Sequence, residues 1–266
     1  MSVLLGLGGI ISGLYYVFTY PSAGGFSGYF DKPSLVLLVA VPPSIMLLSH
    51  QVSDFWTGIT TLVHAMFDNT RRKQTNIINS LTICSAQVRS SGVGALVKQQ
   101  KTLKYDLMKE AISMIVNNFT SEEIQHNILA KINARQTRMA LAANLFENMA
   151  KVCPGVGMIG TLMGLISMMS SLGGADVSKL GGGMALALIT TLYGLMLGTI
   201  LYAPFGEKIT LEAERIHELD LLVLNGALAL KDKKSSLHMK DIVKTYGKQQ
   251  GPATPTRPSK PKRAPQ

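Results

Sequence analysis

Three threonines stand deep inside two uncharged runs of this chain, and their surroundings limit what their hydroxyls can do. Thr161 lies in the run 152–174, and Thr190 and Thr191 lie in the run 180–205; neither run contains Asp, Glu, Lys, Arg or His. A threonine oxygen can accept from water, donate to a carbonyl or coordinate a hard cation, but it carries no titratable proton at physiological pH. If protons or cations pass along these runs, the group that binds and releases them must come from another chain. Small residues accompany the hydroxyls. Gly157, Gly160 and Gly164 recur at helical steps beside Thr161, and Thr191, Gly194 and Gly198 do so in the second run. Such spacing lets membrane helices approach closely. A threonine on such a face can return its hydroxyl to its own helix or offer it to a neighbour, and the sequence leaves both open.

The elements that must position these residues follow from hydropathy and charge. Only Asp176 and Lys179 are charged between the two runs, so residues 152–206 read as a transmembrane hairpin. Residues 2–20 are apolar without a preceding basic residue, so a first span is expected there rather than a cleaved leader. A turn-rich loop, 21–33, leads to a second apolar run, 34–50. Pro42 and Pro43 interrupt that run, and a kink or break is expected at them. The expected organisation is therefore two spans in 1–50, a helical domain in 51–151, two spans in 152–206, polar amphipathic helices in 207–246 and a disordered basic tail in 247–266. The fold class is all-α, a four-span membrane protein with a helical cytoplasmic domain.

Within 51–151 the apolar residues recur with helical period. Ile78, Leu81, Ile83 and Val88 predict one helix, Leu103, Leu107, Ala111, Met114 and Ile115 a second, and Ile124, Ile128, Leu129, Ile132 and Met139 a third that runs on into the next span. Thr120 followed by Glu123 predicts the start of that third helix.

Charge sets the expected orientation and removes several function classes. The chain has 26 Lys and Arg against 16 Asp and Glu, and 24 of the 26 lie in 51–151 or beyond Phe205. The positive-inside rule places those two segments, and both termini, in the cytoplasm, so the basic balance reports topology and not nucleic acid. Cys84 and Cys153 are too few for a disulfide scaffold. No nucleotide fingerprint, metal-ligand cluster or nucleophile–base pair is present, so neither an enzyme nor a resident cofactor is expected.

The hairpin carries a further signal. PGVGMIGTLMGL from Pro154, followed by GGMALALITTLYGLMLGTILYAP ending at Pro204, closely resembles the MotA/PomA subunits of bacterial flagellar stators, within the wider MotA/TolQ/ExbB group. The resemblance covers roughly residues 1–246, and Phe30-Asp31-Lys32-Pro33-Ser34 matches the family's loop before its second span. It implies an inner-membrane protein that forms a homopentamer around a dimer of a single-span MotB/PomB-like subunit, whose Asp binds the ion. Ion flow is then coupled to rotation and delivered to the flagellar switch protein FliG. It implies that Thr161, Thr190, Thr191 and Tyr193 belong to the ion path, that Pro154 and Pro204 serve conformational coupling, and that Arg89 contacts the rotor. The family's usual acid eight residues after the Arg is Val97 here, with Lys98 next, so Lys98 joins Arg89 as a candidate rotor contact. The family often has Gly-Gly where Pro42 and Pro43 stand. H⁺ is the expected ion by frequency within the family, with Na⁺ the alternative. The alternative function is a TolQ/ExbB-like energiser or a related five-fold motor.

Overall fold

The computed structural model describes residues 29–67, 70–100, 103–171 and 177–232, with nine further positions between 6 and 19. All regular structure among these residues is helical. Most of the expected first span, the loop up to residue 28 and the chain beyond residue 232, including the basic tail, lie outside the described residues. Three of the described helical segments, Lys32–Ser49, Ser121–Ser170 and Leu180–Lys231, are long and apolar enough to cross a membrane. The chain divides into two compact units, Met1–Asp68 with Ala134–Glu214, and Asn69–Asn133 with Arg215–Gln266.

The first unit opens with α1, Lys32–Ser49. Asp31 starts it: its carboxylate accepts the Ser34 amide at 2.9 Å and also the Ser34 hydroxyl, satisfying donors that a helix start otherwise leaves free. Ser34, Leu38, Pro42 and Met46, each four residues from the last, are buried on one stripe. Of the kink or break expected at Pro42 and Pro43, a break does not occur, and α1 runs through both to Ser49. The two rings remove the amide hydrogens that would reach the Leu38 and Val39 carbonyls. Packing along the helix Val177–Met196 accompanies this continuity, and support from a neighbouring helix is what makes proline tolerable inside a span.

Helix α2, Val52–Phe67, buries Gly58, Leu62 and Ala65. A Cβ on Gly58 would stand 3.5 Å from a Leu145 methyl, so this helix lies close to the one that carries Leu145 and Phe146. Met46, Leu62, Leu145, Phe146, Met149 and Ile209 form the centre of the unit's core, with Phe146 and Phe205 edge to face at 6.0 Å.

The second unit is built from α3, Thr70–Ser91, α4, Leu96–Gln100, and α5, Asp106–Val116, with residues from α6, Ser121–Ser171, and from the C-terminal helix. Ile124, Ile128 and Ile132 are fully buried at four-residue steps, as the helical period requires. The predicted face of α3 shifts by a residue at two places. Ile77, Leu81, Cys84 and Val88 are buried, while Ile83 is 47% exposed. Leu129 is likewise 38% exposed, because each single-residue step turns a side chain by about 100°. Burial pushes the Cys84 thiol up to about 11, so it stays neutral and unreactive at physiological pH.

Local chemistry sets where α6 starts. The Thr120 amide donates to the Glu123 carboxylate at 2.8 Å, and the Glu123 amide donates to the Thr120 hydroxyl at 3.2 Å, a reciprocal capping box. These Thr120 donors hold the Glu123 carboxyl below its ordinary range. The cap is therefore present at neutral pH and is lost as the pH falls through that lowered value. Deeper in the unit the Tyr105 hydroxyl donates to the fully buried carboxylate of Asp220, which joins the start of α5 to the C-terminal helix.

Candidate functional site

The remaining elements of the first unit form the hairpin that carries the threonines. Helix α6 ends at Ser171, and α7, Val177–Met196, returns. A π-helical turn, Leu197–Tyr202, leads into α8, Ala203–Lys231. Pro204 has no amide hydrogen for the Ile200 carbonyl, and the Ala203 amide bonds instead to the carbonyl of Gly198, five residues back.

Glycines set the contact between α6 and α7. A Cβ on Gly157 would lie 3.0 Å from the Thr190 carbonyl oxygen and 3.4 Å from the Thr191 Cα. One on Gly164 would lie 2.6 Å from the Gly183 carbonyl oxygen, and one on Gly194 2.9 Å from that of Cys153. One on Gly198 would lie 2.8 Å from the Ala150 carbonyl oxygen and 3.3 Å from Pro154 Cδ. The partners fall in number on one helix as they rise on the other, so the two helices run antiparallel with backbones touching. This is the close approach that small-residue spacing makes possible.

The contact separates the three expected hydroxyls. Thr190 is fully buried within it, and a Cβ on Gly160 would stand 2.6 Å from the Thr190 Cβ. Its hydroxyl donates to the carbonyls of Leu186 and Ala187, at 2.8 and 3.1 Å. Thr161 follows Gly160 by one residue and Thr191 follows Thr190 by one, so each lies a single step to the same side of its own contact stripe. In an antiparallel pair related by an approximate two-fold axis, those two sides open in one direction. Thr161 and Thr191 are accordingly half-buried and share a flank of the hairpin. The Thr161 hydroxyl donates to the Met158 carbonyl at 2.6 Å, and the Thr191 hydroxyl to that of Ala187 at 3.2 Å. Both hydrogens are turned to their own helix, so what each oxygen offers outward is lone pairs.

Tyr193 precedes Gly194 and lies on the other side of the stripe. Its hydroxyl donates to the Tyr29 carbonyl at the entry to α1. Pro154 sits against Gly198, and Pro204 lies at the end of the π turn, so one glycine-seated turn separates the two prolines. Arg89 and Lys98 belong to α3 and α4, and their side chains lie outside the described residues. A fourth threonine of the two runs, Thr199, is exposed in the π turn beside Gly198.

Apolar helices of spanning length and a hydroxyl-bearing hairpin whose two runs hold no acid define a multi-span membrane protein. The model of the MotA/TolQ/ExbB proton channel family matches residues 99–219. The chain is 26% identical to the chemotaxis protein PomA of Vibrio alginolyticus, over 90% of this chain and 92% of that one. It is 29% identical to a motility protein A of Treponema phagedenis, over 78% and 79%. Its fold is similar to a chain of the C. jejuni MotAB structure, with a TM-score of 0.83 at 16% identity over 94% of this chain and 97% of that one. It is similar also to a chain of the flagellar MotAB stator complex from Bacillus subtilis, with a TM-score of 0.77 at 20% identity over 88% and 92%. Residues 99–219 thus carry the MotA/TolQ/ExbB proton channel match, and over most of its length the chain is similar to MotA and PomA proteins.

Proposed function

We propose that this chain is the ion-conducting A-type subunit of a bacterial flagellar stator, coupling ion flow to rotor rotation. One observation supports this most directly. Thr161 and Thr191 present oxygens on one flank of a hairpin whose two uncharged runs hold no acid. A path of that kind is incomplete alone, because hydroxyls can pass an ion or water but cannot bind and release a proton at neutral pH. A single-span MotB/PomB-like subunit supplies the missing Asp, and five copies of this chain surround two of the partner. Thr161 and Thr191 face the partner. Thr190 and Tyr193 hold the path in place, by packing against Gly160 and by tying α7 to the entry of α1. Pro154 and Pro204 couple the hairpin to the cytoplasmic helices. The chain crosses the inner membrane four times with both termini in the cytoplasm, so the Pro154 end of the hairpin is cytoplasmic. H⁺ is the transported ion, with Na⁺ the alternative, and the role is transport and mechanical coupling rather than enzymatic catalysis.

The test is motility. Cells without stators of their own should swim when given this chain with its single-span partner, and should not swim with either alone. Paralysed cells containing both proteins in the membrane would overturn the reading. Native mass spectrometry of the purified complex reads the five-to-two ratio, and a four-membered ring overturns it.

Arg89, with Lys98, contacts the switch protein FliG. Reversing Arg89 to Glu should slow swimming while ion influx and complex assembly stay at parental values, since rim charges act mainly on encounter and specificity. The effect should be partial, because Val97 stands where the family has an acid. Loss of the complex from the membrane in this variant would make Arg89 a residue of the fold instead.

A further inference from the structure

Thr199 lies one residue past Gly198, as Thr191 lies one past Thr190 and Thr161 one past Gly160. Gly198 is seated on Ala150 and Pro154, so Thr199 falls on the flank that Thr161 and Thr191 share, at the Pro154 end of the hairpin. Leu195, between Thr191 and Thr199, is 48% exposed on that same flank. The π turn contributes to the alignment. In an undisturbed α-helix, eight residues beyond Thr191 would fall about 80° round the axis. The wider π turn advances by a smaller angle per residue, which reduces that offset. The Thr199 hydroxyl also repeats the geometry of the other two, donating to the Leu195 carbonyl at 2.6 Å and leaving its lone pairs outward.

We infer that Thr199 is a third oxygen of the ion route, on the cytoplasmic side of Thr191. This rests on the stator reading above. At about 1.5 Å per residue, Thr199 lies about 12 Å along the axis from Thr191. Thr161, opposite the turn that precedes Thr191, lies about 5 Å to the other side. The three oxygens then form a ladder of about 17 Å, roughly half the hydrocarbon thickness. An ion or hydrated proton leaving the partner's carboxylate meets the Thr199 oxygen next, as a ligand or as an acceptor for the water that carries it. A threonine that merely faces lipid would be equally well satisfied by its own backbone, and replacing it with valine would then change nothing in transport.

The experiment compares Thr199→Val, Thr199→Ser and the parent, each assembled with the single-span partner. H⁺ influx and Na⁺ influx are measured separately in cells, and complex in the membrane is quantified. The valine variant should assemble normally and carry about three- to tenfold less ion, the range expected for one lost oxygen contact. The serine variant should recover most of that flux. Parental flux in the valine variant overturns the proposal, as does a shared loss of assembly in both variants, which would make Thr199 a packing residue. A parent complex that assembles but conducts neither ion overturns the stator reading and this proposal with it.

Discussion

Thr191→Val should nearly abolish ion flux and swimming while the complex assembles as before. A carboxylate that must bind and release an ion in an apolar setting needs oxygens close by, since without them its charged form is costly and its proton is held too tightly. The two runs of the hairpin supply no acid, so hydroxyls, backbone and water are what they can offer. Thr191 is the hydroxyl beside Gly157, where the two backbones come close, and its hydrogen is already given to Ala187. Valine keeps the shape and removes the oxygen. Contacts to a charged group are worth about 1.5–3 kcal/mol, which is about 10- to 100-fold in rate. Thr190→Val is the matched control. That side chain is fully buried against Gly160 and donates only to its own helix, so flux should stay within about twofold of the parent. Ion influx and swimming speed in both variants decide the matter. Equal conduction by Thr191→Val and the parent would reduce Thr191 to a packing group.

Gly164→Ala should separate the two helices of the hairpin and deplete the assembled complex. The added Cβ would stand 2.6 Å from the Gly183 carbonyl oxygen and 2.8 Å from the Ala187 amide nitrogen. Both are backbone atoms and cannot rotate away, so α6 and α7 must part. At Gly160 the obstacle is a side chain, which can give a little more. Overpacking of this kind costs about 1–3 kcal/mol, and in a membrane it removes the close contact on which helix association rests. The measurements are complex recovered from membranes and its thermal midpoint. Gly181→Ala is the control, since nothing lies within 4 Å of its added Cβ. If Gly164→Ala matched Gly181→Ala in both, the glycine contact would not be what holds the hairpin.

The apolar runs, the helical period and the capping box were legible in the sequence because each depends on neighbours along the chain. Thr120 and Glu123 are three residues apart and meet in any helix that starts there. Ile124, Ile128 and Ile132 face inward because four-residue steps stay on one side of a helix. The faces of less regular segments were harder to read, as Ile83 and Leu129 show, because a one-residue difference turns a side chain by about 100°. Pro42 and Pro43 read as a kink or a break by local rules, and α1 is unbroken where it packs along α7. The step between Thr190 and Thr191 was legible, since it turns one about 100° from the other, but which of the two lies in the contact was not. Both sit in the same uncharged run, and only the position of Gly160 across the contact makes one a packing residue and leaves the other on the flank. Thr199 joins that flank through the same opposition of Gly198 to Pro154, with a π turn that Pro204 permits. The sequence by itself determined which residues could serve ions and which could bring helices together. The tertiary structure decided which side each hydroxyl takes, because that depends on the helix that lies opposite.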